Sequence, residues 1–216
     1  DTLGLKAKLN FCYELNKQRD PALTAEAKKL LPFAKKLPKT EEAVRIYTLV
    51  GRGFLNLRDL DSCPKYFDLA YKNLSKAVSA DAEAHLNLSS GWVDYAFGKS
   101  NLGMAKYTIA YKLYSKGNDP IKTAWVLNNM TQVMSVQQKF DKALEYAQKA
   151  VEITGKSADT VTYAYNLQTL GEVYLLQEKY KEALNQYKIA ERILNNSKIW
   201  TEVTLNNIKL SSCYNK

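Results

Sequence analysis

The 216-residue chain has one histidine, three cysteines and few chain-breaking residues, nine Gly and five Pro. Each shortage excludes something. His85 alone cannot supply an HExxH pair, and no Ser-His-Asp set or Cys/His metal spacing can be assembled around it. Cys12, Cys63 and Cys213 are odd in number, widely spaced and form no CxxC, which argues for small buried residues rather than a disulfide framework. Scarce Gly and Pro disfavour an all-β fold with many tight turns. No apolar run approaches the roughly 18 residues of a membrane span, and no signal peptide is visible. The chain opens on Asp1 rather than Met, which reads as processing or as a piece cut from a longer chain.

Hydrophobic residues make up 46%, ample for a core, and charged residues 25%, an ordinary share. The formal charge of +9 can attract nucleic acid, an anionic membrane or an acidic protein. Its distribution tempers that: residues 1–39 carry nine Lys/Arg against four acids, and the remaining excess is spread thinly among acids. The pattern reads as a solvated helical face at one end. Gly51-Arg52-Gly53 begins like a dinucleotide loop, but Asn56 stands where the third Gly belongs and no strand precedes it. Asn-x-Ser/Thr occurs at Asn73, Asn87, Asn129 and Asn195, within or at the ends of predicted helices, where chance explains it better than glycosylation. No metal or cofactor is called for, and the sequence reads as a non-enzyme.

The strong signal is a repeat. Tyr66–Lys76 (YFDLAYKNLSK) returns as Lys106–Lys116 (KYTIAYKLYSK), an offset of 40 residues. Carried along the chain, that offset aligns Ala70, Ala110, Ala150 and Ala190. It also aligns Gly51, Gly91, Thr131 and Gly171; Cys63, Gly103, Ala143 and Ala183; and Phe67, Tyr107, Ala147 and Tyr187. Each unit reads as two helices. In the third, Val126, Leu127, Met130, Val133 and Met134 keep helical spacing, Gln137-Gln138-Lys139 breaks it, and Phe140, Ala143, Leu144, Ala147, Ala150 and Val151 resume it. Small residues where two helices cross let the axes approach to roughly 8–10 Å. One hairpin cannot bury both of its apolar faces, so units must stack.

Helix starts are marked by Asp20-Pro21, Asp119-Pro120, Ser62 with Pro64 nearby, and Thr40 before Glu41-Glu42. The coarse map is all-α, with helices near 3–17, 21–36, 41–57, 62–78, 81–97, 100–116, 119–136, 140–154, 158–176, 180–195 and 198–214. It forms a single domain with units of about 1–40, 41–80, 81–120, 121–160 and 161–197, then a lone helix over 198–216.

Leu170-Gly171-x-x-Tyr174, followed by Tyr180, Ala183, Tyr187 and Ala190, resembles the tetratricopeptide repeat signature. Looser matches run through Met130 to Ala150 and Val50 to Ala70; in the 84–123 unit Asp94 sits where a Tyr is usual. The resemblance covers nearly the whole chain. Its period of 40 departs from the family's usual length of about 34, and the Pro that closes each family repeat is missing. The resemblance implies a right-handed α-solenoid of antiparallel hairpins, about five and a half repeats. Longer units of this kind resemble those of bacterial regulators, including peptide-sensing regulators and sensor regions attached to histidine kinases. That implies a bacterial cytoplasmic or periplasmic setting.

In such arrays the first helix of each unit lines a concave groove. Carrying the family's ligand-facing positions onto units that start at 44, 84, 124 and 164 selects Arg45, Thr48, Arg52 and Asn56; His85, Ser89, Trp92 and Tyr95; Trp125, Asn128, Asn129, Gln132 and Ser135; and Tyr165, Gln168, Thr169 and Glu172. The groove so implied is aromatic and amide-rich, suited to an extended peptide, with Arg45 and Arg52 placed to hold a carboxylate. Packing between hairpins is the competing place for Trp92 and Trp125. The Lys/Asn clamp of chaperone-binding relatives is not reproduced, since Thr48 and Arg52 replace it. The 198–214 helix carries Trp200, Val203, Leu205, Ile208, Leu210 and Tyr214, too apolar for a cap, which implies a continuing chain, a homodimer or another partner. The expected function is a protein- or peptide-binding module, the sensor or scaffold part of a bacterial regulator. A self-associating assembly element is the alternative. Nucleic-acid binding is disfavoured because the lysines fall mostly on second helices.

Overall fold

The computed structural model describes residues 2–196 together with 206, 207 and 209–211, and the described residues are helices and turns only. The helices are α1 (Thr2–Lys17), α2 (Ala22–Lys28), α3 (Leu31–Lys36), α4 (Glu41–Asn56), α5 (Cys63–Lys72), α6 (Ala80–Ala96), α7 (Ser100–Lys116), α8 (Pro120–Val136), α9 (Phe140–Gly155), α10 (Thr160–Leu176) and α11 (Tyr180–Asn196). They fall into two compact units, Asp1–Leu113 and Tyr114–Lys216.

Within the first unit, α4 packs on its own partner α5, on the preceding α2 and α3, and on the next first helix, α6. The second unit repeats the scheme: α8 on α9, α9 on α10, α8 on α10 and α10 on α11. This sequential pairing is what the 40-residue columns predict. The columns mark the crossings. A Cβ on Gly51 would lie 2.8 Å from the Phe67 ring, one on Gly91 2.8 Å from Tyr107, and one on Gly171 2.9 Å from Tyr187. Each glycine thus makes room for a ring on the second helix. In the third unit both sides of the pairing change together, with Thr131 in the glycine column and Ala147 in the ring column, both buried. The bulkier residue of the pair thus sits on the first helix instead of the second.

The turns repeat as faithfully. Arg58, Gly98, Gln138 and Glu178 follow the first helices at intervals of 40, and all have left-handed backbone, as does Arg19 after α1. Each is followed by an N–H that reaches back five residues: Asp59 to Phe54 O at 3.0 Å, Lys99 to Asp94 O at 2.8 Å, Lys139 to Met134 O and Lys179 to Tyr174 O at 2.9 Å. This is the Schellman stop, which closes the last carbonyls of a helix. The next first helices are capped at the same interval, with Ser79, Asp119 and Asp159 accepting from the N–H groups of Ala82, Lys122 and Thr162 at 3.2, 3.0 and 2.9 Å. Thr40 caps Ala43 in the same way, at 3.3 Å.

Two expected helices are shorter than the pattern suggested. The 21–36 segment is not one helix but two, α2 and α3. Pro32 has no N–H to bond back and its ring crowds the turn before it, so the backbone opens at Lys29-Leu30. The helix expected over 62–78 stops at Lys72 because Asn73 and Ser75 turn outward to hold the preceding inter-unit turn: Asn73 Oδ1 accepts from Lys39 N at 2.9 Å and Ser75 Oγ donates to Lys39 O at 2.8 Å. Most of the expected 198–214 helix lies outside the described residues. Residues 206, 207 and 209–211 are helical, and Leu210 is buried against Ala183 and Tyr187. Cys12 and Cys63 are buried free thiols, whereas Cys213 lies outside the described residues.

Two predictions follow from these repeats of geometry. Gly98→Ala will lower stability by about 1 kcal/mol although nothing lies within 4 Å of the added Cβ, because only the left-handed backbone is strained; Gln138→Gly will raise it by about 0.5–1 kcal/mol. Urea melts followed by circular dichroism read both signs. For the crossing, Gly171→Thr and Tyr187→Ala will each destabilise by about 2 kcal/mol or more. The double variant, which reproduces the Thr131/Ala147 arrangement, will lose less than the sum by about 1 kcal/mol or more.

Candidate functional site

The selected groove residues sit on α4 and α6 in the first unit and on α8 and α10 in the second. Most of their polar groups are engaged between neighbouring first helices rather than left for a ligand. Arg45 binds three helices at once: Nε donates to Glu41 Oε1 at 2.7 Å, Nη1 to Tyr13 Oη on α1 at 2.8 Å, and Nη2 to Asp81 Oδ2 on α6 at 3.1 Å. Two carboxylates already neutralise it, so the expected two-arginine carboxylate clamp loses one arm to the fold. Arg52 reaches in both directions as well, to Asn16 Oδ1 on α1 at 2.7 Å and to Ser89 Oγ on α6 at 3.4 Å. His85 stands against Tyr13, ring centroids 6.0 Å apart. Thr48 and Ser89 are buried, and the buried Nδ2 of Asn56 has no hydrogen-bond partner.

The second unit shows the same rail. Asn128 Nδ2 donates to Asn166 Oδ1 at 2.5 Å, and Asn166 Nδ2 to Thr154 Oγ1 at 2.9 Å. Gln168, expected to face a ligand, is only 3% exposed and donates to Asn206 at 3.1 Å. Glu172 pairs with Lys209. Asn129 bonds back to Trp125 O on its own helix at 2.7 Å, and Thr169 does the same to Tyr165 O at 3.1 Å. Apart from Arg45–Tyr13, at 32, the bonds between neighbouring first helices join residues 36 to 38 apart. Neighbouring first helices run parallel, and each side chain meets the next helix about half a turn to one turn short of its repeat equivalent.

What remains outward is mainly aromatic. Trp92 is 38% and Trp125 41% exposed. Tyr95 and Tyr165 are half-buried, Ser135 likewise, and Gln132 is exposed. Sequence reasoning missed Tyr13, Asn16, Glu41, Asp81, Asn166 and Asn206, the partners in the rail. For Asn16, Asp81, Asn166 and Asn206 the signal that could have found them is polar residues recurring two to four positions short of the 40-residue interval; Tyr13, 32 positions from Arg45, and Glu41, on the same helix as Arg45, carry no such signal. Beside the rail in the first unit, a cleft of about 410 Å³ lies between α1 and the start of α4, with Leu5, Leu9, Tyr13, Glu42 and Arg45 in its walls.

Burial pushes the Glu41 carboxyl upward, but hydrogen bonds from Arg45 and from Ser79 outweigh it and hold the group below its ordinary 4.5. Arg45 is raised: burial works against the charge, and Tyr13 and Glu41 overcome it. Burial, then Asp59 and Asp61, pushes the Cys63 thiol up to about 12, the opposite of what a nucleophile needs. No group of His, Cys, Asp and Glu that could hold a metal ion occurs among the described residues, and no described helix is long and apolar enough to cross a membrane.

Residues 122–196 match the family model for the tetratricopeptide repeat. These are tetratricopeptide repeats. No curated protein matches the sequence. Solved structures match the repeats by shape. The apo form of RapI gives a TM-score of 0.72 at 19% identity, covering 79% of this chain and 62% of that one. A Rap protein complexed with Competence and Sporulation Factor gives 0.76 at 14% identity, covering 98% and 71%. BtubC from P. vanneervenii gives 0.69 at 15% identity, covering 98% and 83%. The chain spans less than two thirds of the length of RapI. Likeness at these identities establishes the fold, an all-α helical-repeat solenoid of tetratricopeptide type, as the resemblance implied.

Glu41 gives the rail a pH signature. Its folded pKa lies below the ordinary value, so its contribution is fully present above about pH 4.5 and is lost as the pH falls through the lower folded value. Glu41→Gln will lower stability at neutral pH by about 1–2 kcal/mol. It will also make the fall in melting temperature below about pH 4.5 shallower than in the parent, as thermal melts across a pH series will show.

Proposed function

We propose that this chain is a non-catalytic repeat module that binds a protein or peptide on the faces of its first helices, and that it serves as the sensor or scaffold part of a bacterial regulatory protein. The observation that carries the reading is the exposure of Trp92 and Trp125 on first helices whose polar neighbours are already bonded. A large ring left in water forgoes burial, and Trp in such a position is the residue type that most often anchors a partner. The Rap structure with Competence and Sporulation Factor supports a binding role for this fold.

Because the rail uses Arg45, Asn128 and Gln168 internally, recognition falls to the residues left outside it. In the first unit these are Trp92 and Tyr95; in the second, Trp125, Gln132 and Tyr165. They are flat or neutral groups, which grip an extended chain through apolar area and amide hydrogen bonds rather than through ion pairs.

A peptide-array screen of the intact chain, followed by titration of its best ligands, tests this. Trp125→Ala or Trp92→Ala will weaken those ligands about thirtyfold, while Lys142→Ala, an exposed residue of α9, will leave them unchanged. Ligands that bind both tryptophan variants as tightly as the parent overturn the assignment.

A further inference from the structure

The positive charge of the first unit is gathered by its folding. Residues 27–40 hold Lys28, Lys29, Lys35, Lys36 and Lys39, of which Lys29 pairs with Glu26 at 2.6 Å and Lys28 lies over the Phe54 ring, and residues 69–80 hold Lys72 and Lys76 with no acid. The first stretch runs from α2 through α3 to the turn before α4; the second runs from α5 to the turn before α6. Three hydrogen bonds staple the two together: Lys39 N to Asn73 Oδ1 at 2.9 Å, the Lys39 ammonium to Lys72 O, and Ser75 Oγ to Lys39 O at 2.8 Å. Thr40 Oγ1 closes the turn on Leu37 O at 2.7 Å. The acids that follow each turn are drawn elsewhere. Glu41 is held by Arg45 and Ser79, Asp81 by Arg45, and Glu42 lines the α1–α4 cleft. At the tip of this edge, between Lys36 and Pro38, Leu37 is 38% exposed, and Lys35, Lys36, Lys72 and Lys76 are exposed with it.

We propose that this edge docks on an anionic lipid surface, with the lysines over the headgroups and Leu37 in the interfacial layer. Two features select lipid over nucleic acid. All seven cations are lysines, whose long stems carry a point charge to headgroup level, and the two stretches contain neither an Arg fork nor an exposed aromatic ring for phosphate or base contact. An aliphatic tip ringed by lysines gains nothing from a polyanion in water but gains burial in a bilayer interface. The staple holds the tip in place beforehand, so binding need not order it. Each lysine near an anionic surface is worth about fivefold in partitioning.

The test is co-sedimentation of the intact chain with vesicles of two parts phosphatidylcholine to one part phosphatidylserine, against phosphatidylcholine alone and against a DNA duplex. The expected result is binding to the phosphatidylserine vesicles only, weakened by salt. The pair Lys35→Glu and Lys36→Glu will reduce it by about a hundredfold, Leu37→Ala by about fivefold, and Lys142→Glu in the second unit hardly at all. All the altered residues are exposed, and unchanged thermal melts confirm folding. No binding to phosphatidylserine vesicles overturns the proposal, as does parent-like binding by both the charge-reversed pair and Leu37→Ala. Tighter binding to the duplex, indifferent to Leu37→Ala, assigns the edge to nucleic acid and overturns it too.

Discussion

A ring can lie against a helix axis only if the facing residue has almost no side chain. Phe67, Tyr107 and Tyr187 lie against Gly51, Gly91 and Gly171, with added Cβ atoms falling 2.8–2.9 Å from ring carbons. The rest of the molecule depends on this crossing. It brings the two helices of a hairpin close enough that their outer faces present continuous apolar surface to the next hairpin. At the Thr131 and Ala147 crossing the bulkier residue is carried by the first helix, and both residues are buried.

Once the crossings set the stacking, the turns and caps follow a common geometry. The left-handed residue after each first helix occurs every 40 residues, and only Gly98 occupies it without strain. Arg58, Gln138 and Glu178 accept that conformation because the Schellman hydrogen bonds and the packed hairpin on either side over-determine it. Between parallel first helices the polar rail then forms. It satisfies amides and guanidinium groups that stacking would otherwise strand.

The rail alters how the exposed face is read. A groove full of Arg, Asn and Gln would suit a charged or hydrogen-bonding ligand, but Arg45, Asn128 and Gln168 are committed to Glu41 and Asp81, to Asn166 and to Asn206. Trp92 in the first unit and Trp125 in the second remain exposed. The same fold occurs in a Rap protein and in BtubC, so shape does not choose between roles; the side chains left over from stacking must do so.

Sequence alone determined the repeat length, the helix pairs and the small-residue crossings, because each depends on residue size at a fixed interval along one chain. Pro32 also carried the break between α2 and α3 in plain view, and the pattern of apolar residues around it hid the signal. The burial of Gln168, the triple engagement of Arg45 and the early stop of α5 were decided by tertiary structure. Each depends on a residue 32 to 38 positions away, and hydrogen bonds between stacked helices depend on the offset of neighbouring axes, a quantity that no column of aligned residues contains.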